Sequence, residues 1–162
     1  MKVIGIDPGL ASTGIGIVSG SGLNVIRFSY GTIHTKAHAR LPHRLKEIHD
    51  RLFQVLTDEQ PDLMVVEDIF SLEKFPRSGI LLGKVTGVIL LSAATYNIPV
   101  YEIAVREAKQ ALTGNGNATK KQLEKSVRAR LSLTLPIKPD HASDALSLAM
   151  IGLLRHDDLC AS

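Results

Sequence analysis

Four positions far apart in the chain carry side chains that could do joint chemistry: Asp7, Glu67, and the pair His141 and Asp144. Asp7 closes a short apolar run, Val3-Ile4-Gly5-Ile6, and Pro8-Gly9 then turns the chain. Glu67 closes a second run, Leu63-Met64-Val65-Val66. Runs this continuous read as buried strands, and open α/β sheets bind their ligands beyond the carboxyl ends of such strands. On a helix, His141 and Asp144 share a face, and so do Asp140 and Asp144. Acids gathered at one place cannot all ionise without raising their pKa values, unless a cation compensates. A hard divalent ion with oxygen ligands, Mg2+ or Mn2+, resolves that conflict. Two such ions about 3.5–4 Å apart stabilise the attacking water and the leaving oxygen of a phosphodiester. That chemistry needs no nucleophilic side chain, and no Ser–His or Cys–His pairing stands out.

Each acid also has a purely structural role open to it. Asp7 could simply initiate a turn, and Asp144 could sit in the first turn of a helix. Asp68 reads as a loop start, and Asp140, following Pro139, as a helix N-cap. For Glu67, directly closing an apolar strand, the functional role is favoured. Other motifs fail. Gly79-Ile80-Leu81-Leu82-Gly83-Lys84-Val85 lacks the spacing and the Ser/Thr of a P-loop, and residues 9–14 do not make a dinucleotide fingerprint. His34 and His38 have helical zinc spacing but lie in a strand-to-helix connection without a third ligand.

The elements that must position these residues follow from pattern. Thr13-Gly14-Ile15-Gly16-Ile17-Val18 alternates as a strand does, Ser19-Gly20-Ser21-Gly22 signals a hairpin, and residues 23–35 supply a third strand. From Leu41, apolar residues at Leu45, Ile48, Leu52, Val55 and Leu56 follow the helical period, and Pro42 is tolerated in the first turn. After the strand ending at Glu67 come a loop to Arg77, an apolar helix over 78–96 and a fifth strand over 100–104. A short helix over 106–112 precedes a basic helix with Leu123, Val127 and Leu131 on one stripe. The last helix covers 140–154. Three antiparallel strands followed by alternating α and β units predict an α/β fold. Its five-stranded mixed sheet has helices on both faces, in a single domain over 1–162.

Composition bounds the rest. With 44% hydrophobic and 22% charged residues, the 162-residue chain is an ordinary globular one, able to bury about two thirds of its unfolded surface. Trp is absent, so the core must be aliphatic. Cys160 is the lone cysteine, which excludes intrachain disulfides and thiolate zinc frameworks and suits a reducing cytoplasm. A net charge of +3 is compatible with nucleic acid but too mild to argue for it. The most apolar stretch, residues 80–94, is interrupted by Lys84 and Thr86 and reads as too short to span a bilayer; no signal pattern opens the chain. A cytoplasmic protein without membrane contact is expected.

Assembled, these residues resemble the RuvC family of bacterial Holliday junction endonucleases, which have a ribonuclease H-like fold. The resemblance covers nearly the whole chain. It rests on Gly5-Ile6-Asp7-Pro8-Gly9 with Thr13-Gly14-Ile15-Gly16, on Val66-Glu67 followed by Phe70, and on His141-Ala142-Ser143-Asp144-Ala145-Leu146. The first motif alone also resembles the opening of sugar kinases and actin-like ATPases, but those need two such domains. The resemblance implies a homodimer that cuts four-way junction DNA with two symmetric nicks, using two Mg2+ ions per site for which Mn2+ may substitute. Asp7, Glu67 and Asp144 match the family's catalytic acids. Its fourth position, Asp or His among relatives, aligns with His141, with Asp140 adjacent as the alternative. An imidazole there favours a transition metal such as Mn2+.

Phe70 aligns with an aromatic that stacks on unpaired bases in the family, a contact worth about 1–3 kcal/mol per base; Phe75 is the alternative. Lys109 and Lys120 match phosphate-contacting positions, and Lys121, with Lys125 and Arg128, could extend that patch. The helix containing residues 80–94, apolar around most of its girth, corresponds to the family's dimer helix. Some relatives end in a basic tail, whereas this chain ends Asp157-Asp158-Leu159-Cys160-Ala161-Ser162. A RuvA–RuvB branch-migration complex is a further implied partner. Two other readings stay open: a nuclease of the same fold acting on RNA, like the YqgF-type relatives, and a non-catalytic junction-binding module in which His141 spoils the metal site.

Overall fold

Hydrophobic alternation along the strands decides which element covers which face of the sheet. The computed structural model describes residues 1–22, 24–68 and 76–155. In chain order its elements are β1 (Lys2–Asp7), β2 (Ser12–Ser21), β3 (Asn24–His34), α1 (Leu41–Glu59), β4 (Leu63–Glu67), α2 (Pro76–Thr95), β5 (Val100–Ile103), α3 (Val105–Thr113), α4 (Lys120–Arg130) and α5 (Asp140–Leu154). The strands form one sheet in the order β3-β2-β1-β4-β5. The pairs β1–β2 and β2–β3 are antiparallel, and β1–β4 and β4–β5 are parallel, as expected. Short connections allow the antiparallel pairs, whereas the parallel ones need the crossover helices α1 and α2.

Side chains alternate across the sheet. Val3, Val18, Leu63 and Val65 face a core completed by α3, α4 and α5, chiefly Leu123, Val127, Leu146 and Leu148. Ile4, Ile6, Ile15, Ile17, Met64 and Val66 face the opposite core under α1 and α2. Helices therefore lie on both faces.

Three differences from the sequence reading have simple causes. The hairpin closes two residues later than its signal, with Ser21 opposite Asn24 and Gly22 in the left-handed region at φ 55°, where glycine avoids a Cβ clash. Asp140 is not the N-cap of α5. Pro139 takes that position in extended geometry (φ −73°, ψ 171°), and Asp140 becomes the first helical residue. Finally, α2 begins at Pro76, so by length and composition alone Arg77–Thr95 would suffice to cross a bilayer. It instead buries Val85, Ile89 and Ala93 in the core and packs on α1, while Ile80, Leu81 and Leu91 stay exposed.

Candidate active site

Parallel pairing of β1 with β4 in the register Ile6↔Val66 makes Asp7 and Glu67 the next neighbours at the sheet's carboxyl rim. Adjacent strands lie about 4.8 Å apart. By alternation, Asp7 falls on the face of Val3 and Gly5, and Glu67 on the face of Leu63 and Val65, so both acids emerge on the side of α5. Thr13 Oγ1 donates to Gly9 O at 2.8 Å and secures the turn that follows Asp7.

What brings α5 to these acids is the absence of side chains. A Cβ on Gly5 would overlap the carbonyl oxygen of Ala145, one on Gly14 that of His141, and one on Gly16 the backbone nitrogen of Leu146. From the helix side, a Cβ on Gly152 would meet Val65 Cγ2 at 2.6 Å and Val3 Cγ1 at 2.8 Å. The glycines of β1 and β2 thus form a bare track on which the helix backbone rests. Sequence reading treats Gly14 and Gly16 as the small residues of an alternating strand; their use as a helix seat is a feature it missed.

So seated, α5 carries His141 to Asp7, with Nδ1 2.6 Å from Asp7 Oδ2. The contact becomes an ion pair only when the imidazole is protonated. Asp144 lies one turn further, 16% exposed, and accepts from Lys120 Nζ at 2.8 Å. Asp140 turns away: its carboxylate is 68% exposed and accepts from Lys138 Nζ at 2.9 Å. Of the two candidates for the fourth position, His141 is the one beside Asp7.

The electrostatics are those of acids short of a cation. Burial pushes the Asp7 carboxyl up to about 6; the Asp144 charge adds to this, while the Glu67 hydrogen bond and Lys120 oppose it. Glu67 is pushed up to about 8, first by burial, then by its hydrogen bond with Asp7 and the charges of Asp7 and Asp144; Lys120 opposes. Without a divalent ion, the crowding favours one proton held between the two acids, Glu67 being raised the more strongly, and they titrate as a pair. A divalent ion would replace that proton, and three carboxylates with one imidazole suit Mg2+ or Mn2+ by donor type. Among the described residues no three such side chains stand in an arrangement that could hold a metal ion as they lie. His141 is engaged with Asp7 and Asp144 with Lys120, so ligation requires those contacts to loosen.

The basic residues expected to meet nucleic acid fall on two neighbouring helices. Lys109 lies on α3, which starts just past β5 at the same rim, while Lys120 and Lys121 open α4. Lys120 and Lys121 also line a cavity of about 440 Å3 between α4 and the start of α5, whose walls mix the cations Arg128 and Lys138 with the acids Glu124, Asp140 and Asp144. Phe70 and Phe75 lie outside the described residues, as does the acidic C-terminus. Lys120 on Asp144 is a second feature the sequence did not disclose.

This sheet order, with strand-end acids facing a helix-borne carboxylate and imidazole, defines a ribonuclease H-like, metal-dependent nuclease. Residues 3–152 match the family model described as crossover junction endodeoxyribonuclease RuvC, and the chain belongs to the RuvC family. It is 39% identical over 150 residues to the crossover junction endodeoxyribonuclease RuvC of Brevibacillus brevis, covering 93% of this chain and 90% of that protein. With the Carboxydothermus hydrogenoformans protein of the same name it shares 39% identity over 155 residues, 96% of this chain and 97% of the relative. The fold superposes on Thermus thermophilus RuvC in complex with Holliday junction substrate with a TM-score of 0.90 at 31% identity, covering 96% of this chain and 94% of that one.

Proposed function

We propose that this protein resolves four-way DNA junctions as a homodimer, hydrolysing one phosphodiester in each of two symmetrically related strands with two Mg2+ ions per site, for which Mn2+ can substitute. The single observation that carries this reading is the convergence of Asp7, Glu67, His141 and Asp144, from three distant segments, at one rim of the sheet. These four side chains are the ones that would hold the metals; the outward course of Asp140 favours His141 for the fourth place. When bound, the ions supply Lewis-acid stabilisation of the phosphoryl oxygens and an activated water. The chain's own residues do the rest. Asp7 and Glu67 would give up their shared proton on loading, and His141 would exchange its contact with Asp7 for a place beside the metal. Lys109, Lys120 and Lys121 bind backbone phosphates, and Phe70 stacks on an unpaired base.

The dimer contact is assigned to α2, where Ile80 and Leu91, three helical turns apart, share an exposed apolar face. A two-fold dimer matches a two-fold substrate. Work on recombining and damaged chromosomes would place the protein in the cytoplasm, and a RuvA–RuvB branch-migration complex is the partner that would present the junction.

The test incubates the protein with Mg2+ or Mn2+ and labelled four-way junctions, linear duplexes or hairpin RNA. Paired nicks confined to the junction are expected. Asp7→Asn should abolish cutting while junction binding persists. Preferential cutting of RNA would favour the alternative substrate, and absence of cleavage with every metal would leave only a junction-binding module.

A further inference from the structure

Among the candidate metal donors, Asp144 has its charge already answered by the protein. Lys120 Nζ donates to its Oδ2 at 2.8 Å. The lysine stands at the first position of α4, behind a capping box of Thr119 and Gln122 that fixes where the helix begins. Its side chain is 68% exposed while that of Asp144 is 16% exposed, so the ammonium reaches in from solvent to a largely buried acid. Among the described residues Asp144 is its one hydrogen-bond acceptor. With its ammonium in solvent, the pair is screened and weak enough for a dication to displace. Holding both a divalent ion and an ammonium against one carboxylate would set like charges side by side.

We infer that Lys120 is an exchangeable counter-ion, which neutralises Asp144 while the acids lack a divalent cation and is released by metal binding to take a phosphate of the nucleic acid. This rests on the reading of the acids as the metal site. The released ammonium lies at a cavity lined by Lys121, Arg128 and Lys138 and also by Glu124, Asp140 and Asp144; Arg128 is paired with Glu124 and Lys138 with Asp140, so Lys121 is the cation that a backbone phosphate would meet beside Lys120. Metal and nucleic acid then bind with reciprocal positive coupling, because each removes the lysine from the other's path.

Calorimetric titration of Mn2+ into the DNA-free protein tests the first half. Lys120→Met should tighten Mn2+ binding by about two- to fivefold at low salt, and the gain should shrink as ionic strength rises. Lys120→Arg, which keeps the charge, should stay within about twofold of the parent. The second half is read from the salt dependence of junction binding. In EDTA, the parent and Lys120→Met should give the same slope of log K against log salt. In Ca2+, the parent slope should be steeper by about 0.9, one additional phosphate contact. Unchanged or weaker Mn2+ affinity in Lys120→Met, or equal slopes in Ca2+, overturns the exchange while leaving the metal site standing. If neither protein binds Mn2+ and Asp144→Asn changes nothing, the metal-site reading fails and the exchange with it.

Discussion

Replacing Glu67 with Gln should stabilise the metal-free protein at alkaline pH while destroying its response to metal. Glu67 titrates near 8 in the fold against 4.5 when exposed, and Asp7 near 6 against 3.8. Both folded-state values are raised, so between the unfolded and folded values the native state binds more protons than the unfolded one. Stability from these groups is therefore complete below pH 4 and declines as pH rises through 6 and then 8. For Glu67 alone the span sets a ceiling of about 5 kcal/mol at 1.36 kcal/mol per unit. The pair shares one proton and Glu67 keeps some contact with solvent, so we expect about 2 kcal/mol. In a domain of this size that is roughly 4–8 °C in Tm.

Thermal unfolding in EDTA between pH 5 and 9 should show Glu67→Gln close to wild type at pH 5 and more stable at pH 9. Taking the difference between the two proteins cancels the titration of groups common to both. Millimolar Mg2+ or Mn2+ should restore wild type most strongly at high pH, where its ligands are already deprotonated, and should leave the variant unmoved. A difference between the two proteins that does not vary with pH would refute the picture of two carboxylates crowded against each other without a cation.

Other perturbations test the scaffold. Gly14→Ala should lift α5 off the sheet, costing about 1–3 kcal/mol by denaturant unfolding. Its cleavage rate should fall more than this destabilisation explains, because His141 and Asp144 move with the helix. Leu146→Ala removes a fully buried side chain between α5 and the sheet and should cost about 2–5 kcal/mol in the same assay. Leu91→Glu, on the exposed face of α2, should leave Tm nearly unchanged but shift sedimentation toward monomers at micromolar concentration.

Much of this was legible in one dimension. Continuous apolar runs ending in Asp7 and Glu67, and the helical stripe over residues 140–154, follow from local periodicity, so the three antiparallel strands, the two parallel ones and the helices on both faces could be read directly. Spacing also showed that His141 and Asp140 each share a face with Asp144, and there it stopped. Choosing between them depends on how α5 is rotated against the sheet, and that rotation is decided by where Gly5, Gly14 and Gly16 allow backbone to touch backbone. The hydrogen bond from α5 to Asp7 joins residues 134 positions apart. No local pattern encodes such a contact, because it arises when two independently formed elements pack. The Lys120 pair has the same origin: on α4 the lysine is an ordinary solvated charge, and only the docking of α4 beside α5 sets it on Asp144. By itself, then, the sequence determined which segments carry the acids and what structure each adopts. Tertiary packing alone decided which side chains share a site and which charges are balanced, since burial and distance, the quantities that set their energies, exist only once the chain has folded.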